Sequence, residues 1–258
     1  MKIQSEELRW CPNKDGKAVL DGITAEFLEG GFYGIIGPNG SGKTSFLRHL
    51  LRFLKVYSGK LLLGERELIE YERKELAKQL AFVPQNIHMD IDFSVYEVVQ
   101  MGRNPYLGRF ASFGKEDQKI VEEALSLTSC KELCDRKFVE LSGGEAQRVL
   151  IARAVAQDTK WILLDEPVSG LDVRYQMEMM RLLDWLNRKK GKSVIVVLHD
   201  LNLAARFCSH LVIMKKGKVV AMGETEKMMD LELLQNVYEI EFLHILDMDG
   251  GQGYYFPK

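Results

Sequence analysis

The sequence predicts an α/β fold with parallel strands at its centre, and three stretches carry that expectation. Phe32-Tyr33-Gly34-Ile35-Ile36 is a continuous apolar run of the kind that forms a buried strand, and it leads directly into Gly37-Pro38-Asn39-Gly40-Ser41-Gly42-Lys43-Thr44. Beyond Gly42 the apolar residues Phe46, Leu47, Leu50, Leu51 and Leu54 recur at helical spacing, so a strand, a glycine-rich bend and a helix follow in order. Two further apolar runs, Trp161 to Leu164 and Val194 to Leu198, read as buried strands that end in Asp165-Glu166 and His199-Asp200.

The first stretch is a full G-x-x-x-x-G-K-T phosphate loop. Its backbone N–H groups and the positive end of the helix dipole converge on a polyphosphate. Lys43 is placed to bridge the β- and γ-phosphates of ATP, and the Thr44 hydroxyl is a ligand for the Mg²⁺ that joins them. The second stretch delivers carboxylates to the end of a strand, the edge at which open α/β sheets bind ligands. There Asp165 would hold Mg²⁺, through a water, and Glu166 would polarise the attacking water. The third brings His199 to the same edge, where its ring can hydrogen-bond the γ-phosphate. Gln85 follows the strand-like Leu80-Ala81-Phe82-Val83 and Pro84, and its carbonyl oxygen is a further Mg²⁺ ligand candidate. His49, His88, His210 and His244 read as structural.

Composition narrows the class. At 258 residues and 46% hydrophobic, the chain can bury a sizeable core as one large domain or as a core with a smaller insert. Lys plus Arg (35) nearly balances Asp plus Glu (37), so no basic excess points to nucleic acid. No apolar stretch approaches the roughly 18 residues of a membrane helix, and the start, Met1 to Glu7, contains no signal-peptide core. The expectation is a soluble chain in the cytosol. Cys11, Cys130, Cys134 and Cys208 have no metal-finger spacing; Cys130 and Cys134 lie one helical turn apart and read as reduced, packed thiols, with a shared metal as the alternative.

Leu141-Ser142-Gly143-Gly144-Glu145-Ala146-Gln147-Arg148 opens an amphipathic segment running to Gln157. Ser142 is a good N-cap, and the glycines leave the first-turn N–H groups bare for an anion. One nucleotide does not need two γ-phosphate sites from one chain, which points to a dimer in which each such helix closes on the ATP held by the partner's phosphate loop. With this L-S-G-G-x-x-x-R pattern the chain resembles the ATP-binding-cassette (ABC) ATPases. The order of motifs matches: phosphate loop, Q-loop Gln85, signature, the strand ending at Glu166, D-loop Ser169-Gly170-Leu171-Asp172 and switch His199. The resemblance implies a P-loop NTPase with a RecA-like core, an N-terminal antiparallel β-subdomain and a helical subdomain inserted at about residues 86–139, all within one ATPase domain over residues 1–258. It implies that Ser45, Ser142, Gly143, Gly144 and Asp172 join the phosphate loop in holding nucleotide, and that an aromatic near the N-terminus stacks on adenine. Trp10 is the candidate for that role, with packing in the β-subdomain as the alternative, because Cys11 to Lys17 is a longer polar loop than the family usually has.

A narrower resemblance lies in Ser94 to Phe110, with its G-R-x-P-x-L-G pattern from Gly102 to Gly108, continued by Glu116-Asp117, Val121 and Ala124-Leu125. It is similar to ATPases serving importers of iron-siderophore, haem and cobalamin, and implies a peripheral subunit at the cytoplasmic face of a bacterial or archaeal membrane. Two copies would dock on two membrane-spanning permease chains, served by an extracytoplasmic substrate-binding protein. An iron chelate is the expected cargo, with cobalamin, haem, zinc and manganese as alternatives. Val168 departs from the family's usual Thr or Ser, and Gly170 from the subgroup's frequent His. A soluble ABC ATPase acting on nucleic acid would need a long heptad insertion or a second cassette, and neither is present. A small-molecule kinase would leave the signature unexplained. After Val220, Glu224 to Tyr238 reads as one helix, and Phe242 to Met248 with Gly253 to Phe256 as a terminal hairpin around Asp249-Gly250-Gly251.

Overall fold

Residues 1–12, 16–85, 92–108, 113–245 and 253–258 are described by a computed structural model. They fall into two units, residues 1–71 with 193–258 and residues 72–192.

The first unit opens with β1 (Lys2–Trp10) and β2 (Leu20–Leu28), an antiparallel pair with Ile3 opposite Phe27 and Leu8 opposite Ile23. Ile3, Ser5, Leu8, Leu20, Ile23, Ala25 and Phe27 are buried while the other positions of the two strands are not, the alternation of a sheet with one covered face. β3 (Phe32–Ile36) is buried at all five positions, as a central strand covered on both faces requires. α1 (Lys43–Leu50) follows, burying Phe46, Leu47 and Leu50. It stops short of the sequence expectation: Leu51 is its C-cap, Arg52 turns left-handed at φ 57°, and Leu54 lies beyond it, half-buried in a bend. β4 (Ser58–Leu63) and β5 (Arg66–Glu67) then complete a four-stranded sheet in the order β2-β1-β4-β5.

The second unit contains α2 (Arg73–Ala77), β6 (Leu80–Val83), α3 (Val95–Gln100), α4 (Lys115–Leu127), α5 (Gly143–Ala156), β7 (Trp161–Asp165) and α6 (Val173–Lys190). β6 runs parallel to β7 with Leu80 opposite Trp161 and Val83 opposite Leu164. α3 and α4 both pack on α5, burying Val98, Val99, Val121, Ala124 and Leu125. Arg103 braces this group. Its Nε donates to Asp117 Oδ1 at 2.9 Å, an Nη donates to the Ala156 carbonyl at 2.9 Å, and its guanidinium lies 4.0 Å over the Tyr106 ring. The arginine of the G-R-x-P-x-L-G pattern thus has a structural cause, since Arg103 ties the start of α4 to the last turn of α5. Cys130 is buried, Cys134 half-buried, and both are free thiols. Among the described residues no group of three or more acidic, His or Cys side chains could hold a metal.

The chain then re-enters the first unit as β8 (Ser193–Val197), α7 (Leu201–Phe207), β9 (His210–Lys215) and β10 (Lys218–Glu224). β3 lies between β8 and β9 and is parallel to both, with Ile35 opposite Val197 on one side and Val212 on the other. β9 and β10 form a hairpin through Lys216 (φ 49°) and Gly217 (φ 79°), the left-handed pair that tight hairpins favour. The single helix expected from Glu224 to Tyr238 is two, α8 (Thr225–Met228) and α9 (Leu231–Tyr238). Asp230 breaks it by turning its carboxylate back to cap Leu233 N–H at 2.9 Å. β11 (Phe242–Ile245) and β12 (Tyr254–Pro257) pair antiparallel. The Tyr255 hydroxyl anchors this hairpin by donating to the Met229 carbonyl at 2.8 Å. Residues 246–252, which include the expected turn Asp249-Gly250-Gly251, lie outside the described residues. Among the described residues no helix is long and apolar enough to cross a membrane.

Candidate functional site

In the first unit, the loop from Gly37 to Gly42 joins β3 to α1, and packing imposes glycine at both of its ends. Gly37 has φ 146°, and a Cβ there would sit 2.0 Å from the Met214 carbonyl oxygen. Gly42 has φ 99° and caps α1 with no side chain to fill the first turn. Lys43 is 5% exposed, its ammonium donating to the Gly37 and Pro38 carbonyls at 2.8 and 3.0 Å, so a buried positive charge sits at the centre of the loop. Asn39 and Gly40 are exposed, Pro38 and Thr44 half-buried, and Ser41 fully buried.

The loop is held from outside by the β9–β10 turn. Gly217 N–H donates to the Ser41 carbonyl at 3.1 Å while the Gly217 carbonyl accepts from Asp21 N–H at 2.8 Å. A Cβ at Gly217 would meet the Val19 carbonyl at 2.5 Å, so only glycine can make this link. Half-buried Ser45 is steadied by His49, whose Nδ1 donates to the Ser45 carbonyl at 2.7 Å; burial pushes this imidazole below its ordinary pKa, which keeps it neutral. Trp10 is half-buried and meets His49 edge-on with ring centroids 5.3 Å apart. His199 is exposed, one residue after the buried Leu198, and Asp200 caps α7 through Asn202 and Leu203 N–H.

In the second unit, β7 ends at Asp165, 2% exposed, and the chain turns sharply at Glu166. Glu166 adopts φ 48°, a left-handed conformation that costs a non-glycine residue on the order of 1–3 kcal/mol and is kept where the surroundings demand it. Gln85, exposed after β6, donates from Nε2 to Glu166 Oε2 at 2.6 Å. The structure therefore brings these two sequence-designated residues into direct contact. The turn closes with Ser169 N–H on the Glu166 carbonyl at 3.2 Å, and exposed Asp172 then caps α6 by accepting from Tyr175 N–H at 3.0 Å.

The signature helix α5 starts at exposed Ser142, whose hydroxyl and N–H both face Glu145 Oε2, at 2.7 and 2.8 Å. Unlike Gly37 and Gly42, Gly143 and Gly144 are not imposed by packing. A Cβ on Gly143 would meet nothing within 4 Å, and one on Gly144 would meet only Leu171 Cδ2 at an ordinary 3.5 Å. Sequence reasoning named Ser142 but passed over Glu145, although S-x-x-E ahead of an apolar run is a capping-box signal. It also passed over Gly217, which no local pattern distinguishes from an ordinary hairpin glycine.

An α/β fold in which a glycine-rich loop leads from a buried strand into a helix opened by a buried lysine defines a P-loop nucleotide-binding protein. The sequence profile of the ABC transporter family matches residues 20–169. The ferric enterobactin transport ATP-binding protein of Escherichia coli (strain K12) is 38% identical over 233 residues, 90% of this chain and 86% of that protein. A solved transporter described as of the metal-chelate type, in an inward-facing conformation, superposes with a TM-score of 0.86 at 26% identity, covering 99% of this chain and 97% of that one. A dimeric ATP-binding cassette in a post-hydrolysis state with ADP and phosphate bound superposes at 0.76 with 28% identity, covering 86% of this chain and 98% of that one. The chain belongs to the ABC transporter family, and within it to the ATPases that bind and hydrolyse ATP.

Proposed function

We propose that this chain is the ATPase subunit of an importer for a metal chelate, iron(III)-siderophore foremost. Two copies would bind two ATP between them at the cytoplasmic face of a membrane, docked on two membrane-spanning permease chains that receive cargo from an extracytoplasmic binding protein. The observation that carries the two-copy arrangement is the start of α5. Gly143 and Gly144 are required by nothing within 4 Å beyond an ordinary contact, so their lack of side chains is suited to the approach of a ligand held by another chain. The likeness to the ferric enterobactin relative supports the cargo class.

The roles follow from the chemistry. Lys43 would exchange the Gly37 and Pro38 carbonyls for β- and γ-phosphate oxygens, so the loop needs little rearrangement to accept ATP. Pro38, Asn39, Gly40 and Ser41 would wrap the phosphates with Gly37 and Gly42, Ser45 would stand beside the Thr44 hydroxyl, and Trp10 would offer a ring face to adenine. For Mg²⁺, Thr44 of the first unit would supply a hydroxyl, and Asp165 and Gln85 of the second a buried carboxylate and an amide carbonyl, oxygen donors of the kind that ion takes. When bound, that ion would neutralise charge on the β- and γ-phosphates. Glu166 would accept the proton of the attacking water, with Gln85 holding its other function in place. His199 would donate to the γ-phosphate, and on the second chain Ser142, the Gly143 and Gly144 amides and Asp172 would close the site.

The test is reconstitution with the permease pair and the binding protein in vesicles, measuring ATP-driven uptake of labelled iron(III)-siderophore against haem and cobalamin. Uptake of the siderophore alone is the expected result. Uptake of another cargo would reassign the substrate, and ATP turnover indifferent to the permease would overturn the importer reading.

A further inference from the structure

The three groups around the start of α5 are already committed to each other. Glu145 Oε2 accepts from both the hydroxyl and the N–H of Ser142, while Glu145 Oε1 lies 3.2 Å from an Nη of Arg136. Arg136 is itself fixed by donating to the Glu140 carbonyl at 3.0 Å. Hydrogen bonds from Ser142 and the Arg136 charge hold the Glu145 carboxyl below the usual carboxylate range, so at neutral pH it can only accept. A serine hydroxyl has one proton, and here that proton points at Glu145.

We infer that Glu145 and Arg136 are positioning residues that set how readily Ser142 engages ATP. This rests on the proposed two-copy reading, in which Ser142 donates to a γ-phosphate held by the partner chain. A phosphate oxygen is an acceptor and would meet the lone pairs of the hydroxyl until its proton is turned away from Glu145. The two anions therefore compete for one proton, and closure includes the cost of taking it from the carboxylate. Arg136 lowers that cost. Once the hydroxyl has swung away, Glu145 retains the Ser142 N–H on one oxygen and the guanidinium near the other, so its charge is not left unpaired.

This arrangement gives the two residues opposite signs. In Glu145→Gln the acceptor facing Ser142 is neutral, and hydrogen bonds to neutral groups are roughly half as strong as those to ionised ones. The serine proton is then easier to release. In Arg136→Met the carboxylate loses its compensating charge and holds the proton more tightly. The experiment uses the full chain in a Glu166→Gln background, with gel filtration following the ATP concentration for half-maximal dimer. Glu145→Gln should lower that concentration about three- to tenfold and Arg136→Met should raise it by a similar factor. In the Glu145→Gln background, Arg136→Met should shift the concentration clearly less than it does in the parent, the remainder being its lost bond to the Glu140 carbonyl. Thermal melting without nucleotide shows whether each variant is folded. A merely structural cap would weaken dimerisation in both single variants, and that result, or no shift in Glu145→Gln, would overturn the inference while leaving the importer reading standing. A parent chain that stays monomeric at saturating ATP would instead overturn both.

Discussion

Two helix starts in this molecule are rich in glycine and differ in how they treat their own ends. α1 begins at a left-handed Gly42 with no side-chain cap, packing imposes glycine there and at Gly37, and a buried ammonium rests on the loop carbonyls. α5 begins at Ser142 with a complete capping box, followed by glycines that packing does not impose. The first is preorganised for an anion and carries a cation in reserve. The second satisfies itself and would have to be opened to engage a ligand. A site that holds nucleotide through the cycle gains from a preformed cradle, whereas a surface that must engage and release gains from a resting state with its polar groups paired. The same residue types, glycine and a hydroxyl at a helix start, thus serve different ends according to what surrounds them.

The comparison breaks most visibly at the chemistry. Lys43→Ala should abolish hydrolysis and most ATP affinity, because the buried charge at the α1 start is lost. Glu166→Gln should cut hydrolysis by about 10²–10⁴ while ATP stays bound. Single-turnover assays with filter binding separate the two. If Lys43→Ala turns over ATP normally, the phosphate-loop assignment is wrong, and normal turnover in Glu166→Gln moves the base elsewhere, with His199 the first candidate.

Stability should separate the glycines next. Gly37→Ala combines a disfavoured φ with a contact of 2.0 Å to a backbone carbonyl, and should cost at least about 3 kcal/mol by urea denaturation. Gly143→Ala should stay within about 0.5 kcal/mol of the parent yet weaken the ATP-dependent dimer. Equal losses of stability at both positions would erase the contrast between imposed and unimposed glycines. Gly144→Asp sharpens the same contrast: its side chain has room within the chain, so ATP should still bind the monomer, while a negative charge facing the γ-phosphate should block closure.

The smallest effect is on acid stability. The carboxyl of Glu145 has a folded pKa below its unfolded one, so the stability it contributes is fully present above the ordinary carboxylate pKa of about 4.3 and is lost as pH falls through the depressed folded value. The group is partly exposed, so the contribution is modest. Thermal melting of the parent should fall more steeply than that of Glu145→Gln across this acid range. Parallel curves would show that the carboxylate has no special hold on Ser142.

Much of this was legible in the sequence because the decisive signals are local. A buried strand followed by G-x-x-x-x-G-K-T, apolar runs ending in acids and a serine before a glycine pair each depend on a few neighbouring residues. What escaped depends on longer reach or on backbone angles. Leu54 keeps helical spacing with Leu50 and Leu51, but the chain has already turned left-handed at Arg52. Asp230 sits within an apolar periodicity that suggests one helix, and its capping bond splits that helix in two. The φ of Glu166 has no sequence signature, since it is set by the turn that closes on Ser169. Arg103 was noted as part of a subgroup pattern, and only the structure shows that it joins Asp117 to the carbonyl of Ala156, 53 residues away.

In the proposed dimer the two helix starts would act on one nucleotide from different chains. Cysteines placed at Ser41 and Ser142, in a background with Cys11, Cys130, Cys134 and Cys208 replaced, test it directly by cross-linking. A disulfide-type or short-linker cross-link should form between chains and only when ATP is present. A cross-link within one chain, or one indifferent to nucleotide, would contradict it.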